Sequence, residues 1–287
     1  MTVAARDAAG SSLEAARFYV DYVEEHVPFK ESPRGLKRFI LSWLPYWSYR
    51  EWRFWDRYLP ANCSVLDLGA ARGREVFREN GRRAIGIDLA QNALTECSRN
   101  YVGATVGSLD RLPFPDRHFD CAVSSHVMGH VPVERKDAVL CEIHRVLRPR
   151  GRTLHIIECD SEHRWVELAK RNPKLYKKYF INPDGHVGLE TASAVLARFA
   201  RHGFEVEVIE PMDPGPWHPR HIVKWLDNEY RAESAEIDRV VRHAKTVLES
   251  PLRLAIEEVR LGYAHDHKAT GLRLDHSQFI AVVAVKS

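Results

Sequence analysis

Among the 15 histidines and 39 acidic residues of this 287-residue chain, His126, His130, His186 and Glu158 are the candidates for moving a proton. Histidine titrates near neutrality and is the commonest general base. His126 and His130 are four residues apart, which places them on one face if the segment is helical. As a pair they suit a base and its orienting partner, or two metal ligands; as ordinary residues they are packing side chains. His186 lies in the loop Asn182-Pro-Asp-Gly-His-Val-Gly188, ahead of an expected helix Glu190–His202. Glu158 closes an expected strand. His144 falls inside a helix and reads as a packing or surface residue, and the pairs His218/His221 and His265/His267 read as solvated.

A second group has the types needed to hold a ligand. Val65-Leu-Asp-Leu-Gly-Ala-Ala-Arg-Gly73 reads as a buried strand ending in a glycine turn, followed by a helical Arg74–Asn80. Glycine lets a ligand approach the main chain, and the first N–H groups of a helix are free to meet it. Asp88 ends the next strand, where a carboxylate can accept hydrogen bonds from ribose hydroxyls.

Positioning these groups requires alternating strands and helices. Strands are expected at Ser64–Leu68, Ala84–Asp88, Ala104–Gly107, Cys121–Ser124 and Thr153–Glu158, with helices at Gln91–Asn100 and Val133–Leu147. Short apolar strands separated by helices imply βαβ units, a parallel sheet and right-handed crossovers. Ligands bind such sheets beyond the carboxyl ends of the strands. The motif at residues 67–73 lies at such an end.

Composition frames this reading. Hydrophobic residues make up 45%, charged residues 28%, and the formal charge is +3. These are values of a soluble globular chain, too weakly basic for wholesale nucleic-acid binding. No apolar run reaches membrane-spanning length, and Met1–Asp7 lacks a secretory apolar region. The five cysteines show no paired spacing; Cys121, Cys141 and Cys159 sit in apolar contexts. A reducing, cytoplasmic setting is expected.

Two nucleotide ligands compete for the glycine turn. A dinucleotide site wants G-x-G-x-x-G, whereas the spacing here is G-x-x-x-G after Asp67. Asp67-Leu-Gly-Ala-Ala-Arg-Gly73 resembles motif I of class I S-adenosylmethionine-dependent methyltransferases, D/E-x-G-x-G-x-G. Further matches follow in order: Ala84-Ile-Gly-Ile-Asp88, Leu112-Pro-Phe-Pro-Asp116 with Phe119-Asp120, Val127-Met-Gly-His-Val131, and Arg145-Val-Leu-Arg-Pro-Arg-Gly151. The set resembles the small-molecule, type 11 branch over residues 60–160, and more loosely at strands Gly203–Ile209 and Gln278–Val285. The resemblance implies a Rossmann-like α/β sheet, mostly parallel with the last strand antiparallel, and S-adenosyl-L-methionine as cofactor. It places Asp67, Gly69, Ala70, Ala71, Gly73, Asp88, Leu89, Ser108, Leu109 and Ser125 around that cofactor. Ala71 departs from the middle glycine, Ser108 from the usual aspartate that meets the adenine amine, and Arg150 from a glycine. Asp110 is a displaced substitute for that aspartate. His130 matches a histidine common in relatives, and the His186 loop matches one that relatives direct at the acceptor. Ubiquinone-pathway O-methyltransferases carry an acidic and histidine cluster here; His126 and Gly129 replace two of its acidic positions, so no metal is expected.

Acceptor identity should reside in the surroundings. Phe18–Tyr58 holds 13 of the 28 aromatic residues, and Leu36, Phe39, Ile40, Trp43, Leu44 and Trp47 recur at helical spacing up to a break near Pro45. Residues 1–60 therefore read as a helical, aromatic-rich cap. Its rings wall an acceptor or pack on the sheet; with Lys37, Arg38, Arg50, Arg53 and Arg57 among them, peripheral membrane contact is a lesser reading. Residues 61–210 form the cofactor-binding core, 211–275 a helical insertion serving as cap or homodimer contact, and 276–287 the last strand. The expected activity is methyl transfer to a small molecule, most simply at a hydroxyl oxygen. Nucleic-acid methylation and a non-catalytic, cofactor-stabilised binding surface are the alternatives.

Overall fold

The computed structural model describes residues 17–212, 217–268 and 274–287. Residues 1–16 of the expected cap and residues 213–216 of the insertion's opening loop lie outside them, as do the side chains of His265 and His267. Seven strands form one sheet: β1 Ser64–Leu68, β2 Arg83–Asp88, β3 Gly103–Val106, β4 Phe119–Ser125, β5 Leu147–Glu158, β6 Phe204–Met212 and β7 Phe279–Lys286. Their order is β3-β2-β1-β4-β5-β7-β6. β1 pairs in parallel with both β2 and β4, while β7 runs antiparallel between β5 and β6. The order reverses between β1 and β4, so a crevice opens at their carboxyl ends. Val65, Leu66, Ala122, Val123, Leu154, Ile156, Val282 and Ala284 are fully buried, as the two-sided packing of such a sheet requires.

The helices, in chain order, are α1 (residues 17–26), α2 Gly35–Trp43, α3 Arg50–Tyr58, α4 Gln91–Asn100, α5 Lys136–Val146, α6 Arg164–Lys170, α7 Pro173–Tyr176, α8 Ala192–Arg201, α9 Pro219–Ile222, α10 Ala235–Leu248 and α11 Pro251–Lys268. Trp52, Phe54 and Trp55 of α3 enter the core beneath β1, which accounts for much of the N-terminal aromatic content. Helix α2 differs from expectation. It ends at Trp43, ahead of Pro45, but Leu36, Phe39, Ile40 and Trp43 are exposed and only Leu41 is buried. The apolar stripe faces outward because Arg38, held by Asp56 and Glu79, fixes the opposite side against the core.

The segment after the glycine turn is also shorter than expected. Glu75–Phe77 is a single 3₁₀ turn, not a helix over 74–80. Glu75 is committed elsewhere, accepting from the Ser32 N–H at 2.9 Å and Arg34 at 2.7 Å, and the chain reverses at Asn80 and Gly81 with positive φ. No helix N-terminus faces the crevice there.

The insertion has its own apolar cluster, in which Trp217, Trp225, Ile237 and Val241 pack against Val166 of α6. The charged stretch from His221 to Ser250 is not one helix: it breaks at residues 230–234, where Ser234 caps α10 through its hydroxyl. His218 and His221 are not solvated: His218 Nε2 lies 3.1 Å from Glu258, and His221 stacks on Trp217 at 5.1 Å between ring centres. All five cysteines are free thiols, and Cys141 is the exposed one, because its side of α5 faces away from the sheet.

Gly69 carries a steric requirement at the centre of the crevice. It has φ +69, and a Cβ there would stand 2.5 Å from Val127 Cγ2. Gly69→Ala should cost about 1–3 kcal/mol in denaturant unfolding. An unchanged unfolding midpoint would show that the turn relaxes freely.

Candidate active site

The turn after β1 is built by its own backbone. The N–H groups of Gly69 and Ala70 donate to the Ile87 carbonyl at 2.8 and 3.1 Å, and Gly73 N–H donates to Ala70 at 2.7 Å. Ala71 sits in the left-handed region at φ 46, a conformation that costs a residue with a Cβ roughly 1–2 kcal/mol. Asp88 supports it by accepting the Ala71 N–H at 2.8 Å, and also accepts the Ala90 N–H at 2.9 Å. Burial raises the Asp88 pKa, and these N–H groups oppose that rise. A third donor, absent from the sequence reading, is the Tyr19 hydroxyl of α1, 3.2 Å from Asp88 Oδ2.

Helix α1 is fastened over the crevice by the turn itself. Arg72 donates to the carbonyls of Val23, Glu24 and Val27 at 3.1, 2.6 and 2.7 Å, satisfying the open C-terminal end of that helix. Glu24 meets Asn92 of α4 at 2.9 Å. Tyr19 thereby stands between two cavities. One, of about 80 Å³, is lined by Asp88, Leu89, Ser108, Leu109 and Asp110; the other, of about 260 Å³, by Ala71, Ser125, His126, His130, Glu158 and His186. Gly69 borders both.

Of the expected cofactor residues, Asp67, Ala70 and Gly73 do not reach either wall. Asp67 lies buried behind the turn, where it accepts the Tyr101 hydroxyl at 2.8 Å; that same hydroxyl accepts the Arg74 N–H at 2.8 Å. Burial pushes the Asp67 carboxyl up to about 7, against the pull of Tyr101 and Arg74. Ser108 donates to Asp110 at 2.6 Å, and Arg135 pairs with Asp110. Asp110 thus brings a carboxylate to the wall two residues beyond Ser108.

At the far end, His126 turns the chain just past β4 with φ 59, its N–H donating to Ile156 at 3.0 Å. Its ring lies between two carboxylates: Nδ1 is 3.0 Å from Glu158 Oε1 and Nε2 is 2.9 Å from Glu51 Oε1. Burial disfavours charge on this ring, but Glu51 and Glu158 outweigh it and raise the pKa to about 9. Glu158 shows the reciprocal effect; burial would raise it, yet His126 brings it down to about 2. His126 is therefore an imidazolium at neutral pH with both N–H groups engaged. Burial lowers the pKa of His130, which leaves that ring neutral.

His186 is positioned from two sides. Its Nδ1 lies 3.1 Å from the Phe180 carbonyl, so in the neutral ring the lone pair is on Nε2. The N–H groups of Val187 and Gly188 both donate to the Gly129 carbonyl at 3.0 Å. Lys136, almost fully buried, bonds the Gly188 carbonyl and pairs with Glu190 at 2.8 Å. His130 and His186 have ring centres 5.0 Å apart. A third cavity, of about 110 Å³, shares Glu158, Asp184, His186 and Phe279 with the second and continues to Tyr176, Phe180, His221 and Lys224. Tyr19, Glu51, Arg72 and Phe180 were not singled out as site residues, because only the folded chain brings them here.

This sheet order, with a glycine turn after β1 and an acidic end to β2, is that of the Rossmann-like class I methyltransferase fold. Residues 66–155 match the family model described as "Methyltransferase domain", which covers about a third of the chain. A tRNA (carboxymethyluridine(34)-5-O)-methyltransferase of Macaca fascicularis is 31% identical over 97 residues, which cover 33% of this chain and 15% of that protein. The tRNA (carboxymethyluridine(34)-5-O)-methyltransferase of Arabidopsis thaliana is 27% identical over 122 residues, 42% of this chain and 30% of the relative. The chain thus spans under a third of either relative's length. The crystal structure of geranyl diphosphate C-methyltransferase from Streptomyces coelicolor A3(2) shares the fold at a TM-score of 0.54 and 14% identity, covering 96% of this chain and 98% of that one.

The charge on His126 makes stability depend on pH. Its pKa rises from 6.5 in the unfolded chain to about 9 when folded. The stabilisation is complete below the unfolded value and is lost as pH rises through about 9. Unfolding free energies between pH 6 and 10 should fall in the native chain and be flatter in His126→Gln. Equal slopes would show that the ring is uncharged.

Proposed function

We propose that this chain transfers a methyl group from S-adenosyl-L-methionine to a hydroxyl of a small-molecule acceptor. The observation that carries this reading is the pair of cavities meeting at Gly69, with Asp88 on one side and His130, Glu158 and His186 on the other. The residues present fit the cofactor. Leu89 and Leu109 offer apolar walls for a base, Asp110 and Ser108 polar atoms beside them, and Asp88 a carboxylate within reach of hydroxyl donors. Tyr19 already occupies one Asp88 oxygen in the manner of such a donor. The cofactor supplies a sulfonium-activated methyl group, and the protein supplies position, exclusion of water and a proton acceptor.

The proton acceptor is His186. His126 is an imidazolium held by two carboxylates, so its role is to orient Glu158. His186 presents Nε2 because Phe180 holds Nδ1, and a neutral imidazole so oriented takes a proton from a hydroxyl. Asp67, Ala70 and Gly73 act behind the turn, shaping it without touching the ligand. The third cavity, walled by Tyr176, Phe180 and Lys224, extends the acceptor site into the insertion, which favours the cap role for residues 211–275. Helix α1 and the 182–188 loop enclose the site on a scale suited to a small acceptor.

A second reading is methylation of a tRNA nucleoside, favoured by the names of the two curated relatives. Labelled methyl transfer offered to a metabolite extract and to total tRNA separates them. Label in tRNA, with binding that weakens steeply with salt, would replace the small-molecule reading.

Asp88→Ala should weaken cofactor binding at least about tenfold, or about 1.4 kcal/mol, by calorimetry. Unchanged affinity would remove Asp88 from the cofactor site. His186→Ala should lower turnover about 10²–10⁴-fold while cofactor affinity stays near the native value. Native turnover in that variant would exclude His186 as the base.

A further inference from the structure

Three side chains distant in sequence converge on the larger cavity: His130 after β4, Glu158 at the end of β5, and His186 on the loop before α8. Their candidate donor atoms all lie within 4.8 Å of one another. We propose that His130, Glu158 and His186 bind a divalent transition-metal ion such as Zn²⁺ or Mn²⁺. Two imidazoles and one carboxylate are a donor set for such ions, and leave further coordination positions open to the cavity.

Four features of this chain support the site. His186 is turned by the contact between Nδ1 and the Phe180 carbonyl, the outer contact that metal-bound histidines make. Glu158 has one oxygen fixed by His126, itself fixed by Glu51, while Oε2 keeps only a long 3.3 Å bond from the Gly129 N–H. His130 Nδ1 is shielded from solvent without a hydrogen-bond partner. Gly129 supplies the room: a Cβ there would stand 2.9 Å from His186 Cδ2 and 3.1 Å from Glu158 Oε2. An ion with bonds of about 2.0–2.1 Å would draw the three donors inward. His186 rides on a loop that turns at Gly185, with φ +69, one residue before it.

The sequence reading expected no metal, since Gly129 and His126 replace acidic residues beside His130. The fold supplies the missing carboxylate from the neighbouring strand instead. What the ion does rests on the function proposed above: it lowers the pKa of an acceptor hydroxyl, whose proton leaves to solvent. The metal and the His186 base are then alternative means to one step.

Binding is measured without cofactor or acceptor, so its outcome is separate from that of methyl transfer. The 287-residue chain, stripped with chelator, is titrated with Zn²⁺ by calorimetry and with Co²⁺ by visible absorption. One ion per chain is expected, with affinity reduced tenfold or more in both His130→Ala and His186→Ala. His243→Ala, at an exposed histidine of α10, should bind as the native chain does. Zn²⁺ should raise the thermal midpoint of the native protein and leave that of folded His186→Ala unchanged. No stoichiometric binding, or binding that survives both cavity variants, would overturn the site. Binding intact in a chain that transfers no methyl group would overturn the function and leave the site standing.

Discussion

The ring of His126, held between Glu51 and Glu158, is the interaction on which the candidate site depends. Three parts of the fold meet there: α3, the turn after β4, and the end of β5. A buried carboxylate without a partner would be neutralised or would draw in water. The imidazolium keeps Glu158 ionised and holds its Oε1. Arg74 pairs with Glu51 at 3.3 Å, which extends the network to the glycine turn. The two ends of the crevice are thus joined by one chain of charge-assisted contacts, in a setting where such contacts are strong when every member is satisfied.

The second organising element is the closure of α1 over the crevice. Arg72 ties the C-terminal carbonyls of that helix to the turn, and Tyr19 reaches Asp88 from its other end. The turn therefore has two functions, shaping the backbone for a ligand and anchoring the helix that covers it. This explains why Ala71 is tolerated in a left-handed conformation that suits glycine better. Its N–H is held by Asp88, so the local cost is offset by a buried, charge-assisted hydrogen bond.

Much of the core was legible in the residues. Strand β1 and helix α4 have the expected boundaries, and the other strands begin or end within a few residues of them, with β5 extended at its start. Apolar strands separated by amphipathic helices encode this order locally. The surroundings were less legible, because periodicity shows that a helix has an apolar face but not what covers it. Helix α2 shows this: its apolar stripe has the expected period, yet points outward. His218 and His221 looked solvated in a polar stretch, and became packed once Glu258 and Trp217 met them.

By itself the sequence determined the sheet, the glycine turn and Asp88, since each depends on a short run of residues and on backbone sterics. It also marked His126, His130, Glu158 and His186 as chemically capable. Only the tertiary structure decided which partners each of them meets. A histidine's charge and free nitrogen are set by neighbours that sequence spacing does not reveal: Glu51, 75 residues from His126, and Phe180, six residues from His186. Electrostatic attraction acts through a few ångströms of space, and the chain supplies those distances only when it is folded.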